Sequence, residues 1–210
     1  MIYEELKNKY IDSGKIELLL KDSNISVLDG FLDNWETITK FNKSYYDRNL
    51  PKTVICGINP GKNGAGKTGI PFLDFTSLSK MIDSVDRQDT ERSSQFFYDI
   101  VQEIGVKEFY KSFYVTNISW VGYISGNKNV NYYDLPLAAK EFVYDMFKYE
   151  MQLVNPSTII SLSGAVKETV LELFPRDEID TDPQLPHPNY CAFPKNIENS
   201  KERYMSLLSQ

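Results

Sequence analysis

The amino-acid sequence predicts an α/β fold, a three-layer α/β/α sandwich around a short parallel sheet of about four strands. Three short apolar runs carry that expectation: Thr53-Val-Ile-Cys56, Phe113-Tyr-Val-Thr-Asn117 and Ser157-Thr-Ile-Ile-Ser161. The first opens into a glycine-rich loop and the other two end in polar Asn117 and Ser161, in the manner of buried parallel strands that enter loops. Helix-length segments separate them at 90–103 and 137–154, with a shorter one at 166–174. Strands that alternate with helices form a parallel sheet covered on both faces.

The elements follow in order. Residues 1–50 read as helical, with Ile2, Leu6 and Tyr10 spaced by four and a second amphipathic stretch at about 31–46. The run at 53–56 opens into a glycine-rich loop, Gly57 to Gly69, at the carboxyl edge of the expected sheet. A fourth strand is expected near 179–185, and 196–208 reads as a terminal helix. No repeat, low-complexity tract or linker divides the chain. One domain over 1–210 is therefore expected, with 1–50 as its helical N-terminal part.

Lys plus Arg total 23 against 29 for Asp plus Glu, a formal charge of −6. A field of that sign does not gather nucleic acid, so any DNA contact has to be local. Two distant cysteines, Cys56 and Cys191, with no CxxC pair argue against a disulfide framework, a zinc site and an iron–sulfur cluster. A charged start and the lack of an 18-residue apolar run predict a soluble, cytoplasmic protein.

The glycine-rich loop admits two readings. Gly61-Lys-Asn-Gly-Ala-Gly66-Lys67-Thr68 satisfies the phosphate-loop pattern G-x-x-x-x-G-K-[ST] and follows a strand as that pattern requires. Such a loop must open a helix at its lysine, so that amides and the helix dipole converge on phosphate. Here Gly69 and Pro71 follow Thr68, and a proline that far into a helix costs roughly 3 kcal/mol. No later apolar strand ends in an aspartate for magnesium. A nucleotide-binding loop at Gly61–Thr68 is thus the alternative reading.

The longer string, Gly57-Ile58-Asn59-Pro60-Gly61 and then Thr68-Gly69-Ile70-Pro71-Phe72, resembles the first motif of the uracil-DNA glycosylase superfamily. The nearest branch is the single-strand-selective monofunctional one, whose two pieces read G-M-N-P-G and T-G-V-P-F. Ile58 and Ile70 are the apolar exchanges. The family's second signature, a late His-Pro pair, is matched by His187-Pro188, which holds the chain's one histidine. Asn117, ending an apolar strand, matches the family's base-reading asparagine. The resemblance covers about residues 53–195.

It implies a monofunctional, cofactor-free DNA glycosylase of base-excision repair, with no metal, that hydrolyses the N-glycosidic bond of uracil or a related deaminated base. By the same resemblance Asn59 and His187 are catalytic, and Gly57, Ile58, Pro60, Gly69, Phe72 and Asn117 hold the substrate. Pro188, Asn189, Tyr190, Phe193 and Lys195 are expected to meet DNA, with Tyr190 or Phe193 as the wedge that fills the gap left by a flipped base. Lys195, Lys201 and Arg203 give that end local positive charge. The expected partner is DNA, single- or double-stranded, and the expected state is a monomer.

The chemistry suits these residue types. Extracting a base from the stack costs a few kcal/mol, which a flat aromatic such as Phe72 and a two-sided amide such as Asn117 help to offset. As the C1′–N1 bond stretches, negative charge collects on a base carbonyl, and a donor aimed at it favours the transition state. His187 supplies that donor by resemblance, while the Asn59 amide oxygen holds a water against the sugar. Where near relatives carry a methionine-containing stretch, this chain has 62–67 with small Ala65 and Gly66, which keeps xanthine and hypoxanthine beside uracil as substrates. A catalytically inactive, nucleic-acid-binding relative is the third reading.

Overall fold

A computed structural model of the chain describes residues 2–46, 50–174 and 179–209. Helices α1 (Ile2–Tyr10) and α2 (Lys15–Leu20) lead through the short strand β1 (Ser26–Val27) to α3 (Gly30–Asp33) and α4 (Trp35–Tyr45). Strand β2 (Thr53–Gly57) is followed by α5 (Ala65–Thr68), α6 (Phe75–Ser79), α7 (Arg92–Ile104) and α8 (Val106–Ser112). Strand β3 (Phe113–Asn117) runs into a hairpin of β4 (Tyr123–Ser125) and β5 (Lys128–Val130), then a 3-10 turn at Tyr132–Asp134. Next come α9 (Leu137–Val154), β6 (Thr158–Ser161), α10 (Gly164–Leu173), α11 (Pro188–Cys191) and α12 (Ile197–Leu208).

Strand β2 is the centre of the main sheet. It pairs in parallel with β3, from Thr53↔Phe113 to Gly57↔Asn117, and with β6, from Thr53↔Thr158 to Cys56↔Ser161. The expected fourth strand exists only as two isolated bridges, Thr158↔Asp180 and Ser161↔Gln184. Pro183 has no N–H for the ladder, and the Asp180 carboxylate takes the Asp182 N–H at 3.0 Å. Ile159 N–H still reaches Asp180 O at 2.8 Å and Leu185 N–H reaches Ser161 O at 3.0 Å. The segment is a broken edge strand, so the regular parallel sheet has three strands among the described residues, where about four were expected.

Alternation along β3 divides the layers, because successive side chains point to opposite faces. Phe113 packs on Phe109 of α8, ring centroids 5.1 Å apart, while Tyr114 donates to Glu150 of α9 at 2.9 Å. Helices α7, α8, α11 and α12 pack together on the first side, and α1 and α2 pack with α9 on the second. Both faces of the sheet are covered, and β3 is buried along its whole length. The small antiparallel sheet β1-β4-β5 is separate from the parallel sheet, and its Tyr123 is fully buried in the same hydrophobic core. Its hairpin turns at Gly126, φ +56°, which suits glycine at the first position of a two-residue loop. Among the described residues no helix is long and apolar enough to cross a membrane.

Candidate active site

The pairing of Gly57 with Asn117 brings the ends of β2 and β3 together at the carboxyl edge, where open α/β sheets collect ligands. The pairing continues beyond the strands, with Ile118 N–H on Gly57 O at 2.9 Å and Ser119 N–H on Ile58 O at 3.2 Å. A cleft of about 670 Å³ opens at this edge. Asn59, Phe72, Asn117 and His187, which lie as far as 128 residues apart in the chain, all line it, as do Ile58 and Pro60.

Asn117 is 3% exposed, and its side-chain amide makes no hydrogen bond among the described residues. Both its donor and its acceptor are left for whatever enters the cleft that it lines. Gly57 makes this arrangement possible. A Cβ on Gly57 would overlap both the Phe72 Cζ and the Asn117 Oδ1, so the glycine lets the ring and the amide converge.

Phe72 holds its place at some conformational expense. Its φ is +59°, a left-handed backbone that bulky residues seldom adopt, at a cost of about 1–3 kcal/mol. The turn closes with Leu73 N–H on Ile70 O at 3.2 Å, with Pro71 at its second position and Phe72 at the third, where glycine is usual. The ring is kept there by stacking on Phe97 of α7, centroids 4.8 Å apart and planes 28° apart. It sits 6.2 Å from the His187 ring.

Asn59 is clamped by the chain that leaves the hairpin. Its Oδ1 accepts the Tyr132 N–H at 3.0 Å, and its Nδ2 donates to Val130 O at 3.3 Å and Pro60 O at 3.4 Å. One acceptor position on Oδ1 is left over.

His187 caps α11, its Nδ1 accepting the Asn189 N–H at 3.1 Å. A backbone N–H can only donate, so Nδ1 carries the lone pair and Nε2 carries the proton. Burial lowers the imidazole's pKa from its ordinary value, opposed by the Glu91 carboxylate, which raises it. The ring is therefore neutral at pH 7 and offers a single N–H donor.

The cleft's outer lip carries Asn189, Tyr190 and Phe193, with Tyr190 56% and Phe193 43% exposed. The Arg92 guanidinium lies 5.6 Å from the Phe193 ring. Lys195 is exposed beyond them, while Lys201 is drawn to Asp99 at 3.6 Å. Two expected contacts sit elsewhere. Pro188 is buried at the first position of α11, so it shapes the turn and presents no surface to DNA. Gly69 turns away from the cleft with φ +73°, and its Cα hydrogens face Phe31, Ile38 and Gly30. Its work is the turn that ends α5.

The loop at 61–68 is not built as a phosphate cradle. The amides of Gly66, Lys67 and Thr68 bond back to Gly61 and Gly64 carbonyls within the loop. The Thr68 hydroxyl is fully buried and donates to Leu73 O at 2.7 Å, out of reach of a magnesium ion. Lys67 lies 3.4 Å from Asp89.

Sequence reasoning missed the anchoring segment Val130–Tyr132, the cleft-lining Asn129 and Asn131, and Glu91. The dipeptide Gly126-Asn127 was a turn signal for the hairpin. Glu91 caps α7 by accepting the Ser94 N–H at 2.9 Å, a role that its residue type does not signal in the sequence.

The profile of the uracil DNA glycosylase superfamily matches residues 44–207. Among solved structures, wild-type SMUG2 of Pedobacter heparinus is similar, with a TM-score of 0.70 at 26% identity, over 92% of this chain and 93% of that one. No curated protein matches the chain.

Proposed function

Because this chain belongs to the uracil-DNA glycosylase superfamily, we propose that its cleft takes one base flipped out of DNA and hydrolyses its N-glycosidic bond, with uracil the first substrate. The protein is a DNA glycosylase of base-excision repair. The observation that carries the assignment to this cleft is the meeting of Asn59, Phe72, Asn117 and His187 at the carboxyl edge of the parallel sheet.

Each residue has a part. Phe72 stacks on the extruded base, worth about 1–3 kcal/mol by analogy with other base–aromatic contacts. The unbonded amide of Asn117 meets O4 and N3–H of uracil, and cytosine, with the inverse edge, leaves those groups unpaired. The Nε2–H of His187 donates to the carbonyl oxygen where negative charge collects. The spare lone pair on Asn59 Oδ1 holds the attacking water, so positioning and not basicity supplies the advantage. No lysine lines the cleft among the described residues, which supports a monofunctional hydrolysis without a Schiff base. Tyr190 and Phe193 form the wedge. The room in a cleft of about 670 Å³, walled by Gly64 and Ala65, supports xanthine and hypoxanthine as further substrates. The protein acts as a cytoplasmic, single-domain monomer on single- or double-stranded DNA.

The test is incubation with a uracil-containing oligonucleotide, followed by alkali to cut abasic sites. Strand scission is expected. DNA binding without base release would mark an inactive relative, and ATP binding lost on Lys67→Ala would favour a phosphate loop.

A further inference from the structure

Asn59 stands on the loop after β2, yet both ends of its amide are held by residues more than 70 positions later, Val130 and Tyr132. Nothing in β2 determines where that segment lies. The Tyr132 side chain does: it is fully buried, and its hydroxyl bonds the Thr169 Oγ1 at 2.8 Å and donates to Ala165 O at 3.2 Å. Thr169 and Ala165 are on α10, which packs on β6, and β6 pairs with β2. The result is a closed circuit from β2 through Asn59, Tyr132 and α10 back to β2. A tyrosine hydroxyl has one proton, so with Ala165 as its acceptor the Thr169 hydroxyl must be the donor to it. Each bond in the circuit then has one direction, and the amide of Asn59 has one orientation.

We propose that Tyr132 and Thr169 are positioning residues for Asn59, anchoring through α10 the backbone that aims its amide oxygen. The inference rests on Asn59 as the group that holds the attacking water. Neither side chain lines the cleft, so neither touches DNA by this reading.

Single-turnover excision from an oligonucleotide with one uracil separates the possibilities. Tyr132→Phe and Thr169→Val should each lower the chemical rate about tenfold, with affinity for the oligonucleotide unchanged, since small misplacements of a reacting group act on the rate. Thr169→Ser, which keeps the hydroxyl, should stay near the wild-type rate. In an Asn59→Ala background, followed over hours, Tyr132→Phe should lower the rate no further, because the group it positions is gone. Equal losses in both backgrounds would overturn the inference while leaving Asn59 in its role. So would equal rates for Thr169→Val and Thr169→Ser. A wild-type rate for Asn59→Ala alone would instead remove the reading of Asn59, and this inference with it.

Discussion

The Nδ1 atom of His187 accepts the backbone N–H of Asn189 at 3.1 Å. That bond sets the tautomer: Nε2 bears the proton and is the one donor of a ring that lines the cleft. Protonating Nδ1 would set two N–H groups against each other, and burial already lowers the ring's pKa below its ordinary 6.5. With the neutral ring as the donor proposed for His187, the single-turnover rate should stay level as pH rises from about 6.5 to 9 and decline on the acid side. A rate that falls as pH rises through 7 would show that an imidazolium is required. His187→Ala should lower the rate at least about a hundredfold, the scale for a lost preorganised donor.

Asn59→Ala should lower the single-turnover rate at least about a hundredfold while leaving binding to uracil-containing DNA almost unchanged. Asn59→Asp keeps an oxygen for the Tyr132 N–H but gives up the donation to Val130 O. It can also act as a base, and should retain far more activity than the alanine variant. Equal rates for the two variants would mean that no oxygen is needed at this position.

Gly57→Ala tests the close approach at the carboxyl edge. The added methyl would overlap Phe72 Cζ and Asn117 Oδ1, so one of the two must move. In the roles proposed for them, both act on the flipped base before the bond breaks, so affinity and rate should fall together by more than about tenfold. Titration with an oligonucleotide carrying a non-hydrolysable uracil analogue measures the first, and single-turnover kinetics the second. Unchanged values for both would show that neither group reads the base.

Glu150 is buried behind β3, accepting the Tyr114 hydroxyl at 2.9 Å, and its pKa is raised to about 7, mainly by desolvation. A carboxyl raised in the folded state favours folding while both states are neutral, below the ordinary value of 4.5, and loses that advantage as pH climbs through about 7. By linkage the loss is on the order of 3 kcal/mol. Melting temperatures of the wild type and Glu150→Gln, taken between pH 4.5 and 8, should diverge in favour of the glutamine variant as pH rises. A constant difference across that range would show that Glu150 is not neutral in the folded protein.

Legibility in the sequence followed the physics of each element. The three parallel strands were visible because burial on both faces demands an unbroken apolar run. Helices α9 and α12 were visible because they are long enough to show an apolar face. Strands β4 and β5 have three residues each and carry polar side chains such as Lys128 and Asn129, so no periodicity could mark them. The edge segment at 179–185 looked like a strand by composition, but Pro183 and the Asp180 carboxylate divert its ladder. Short α5 and α6, at Ala65–Thr68 and Phe75–Ser79, are single turns set by their surroundings.

By itself the sequence determined which residues stand at the ends of β2 and β3 and that Asn59, Phe72, Asn117 and His187 occur in the order the family uses, because strand burial and turn chemistry are local properties. The tertiary structure decided what those residues can do. The neutral state of the His187 ring depends on burial by distant parts of the chain, which lowers its pKa against the opposing pull of Glu91. The orientation of Asn59 depends on Tyr132 and α10, from distant parts of the chain. Gly69, with the same motif standing as Gly57, is directed to a turn while Gly57 makes room for two side chains. Hydrogen-bond direction and close approach are relations between atoms that only packing brings within 3 to 4 Å of each other, and no spacing along the chain encodes them.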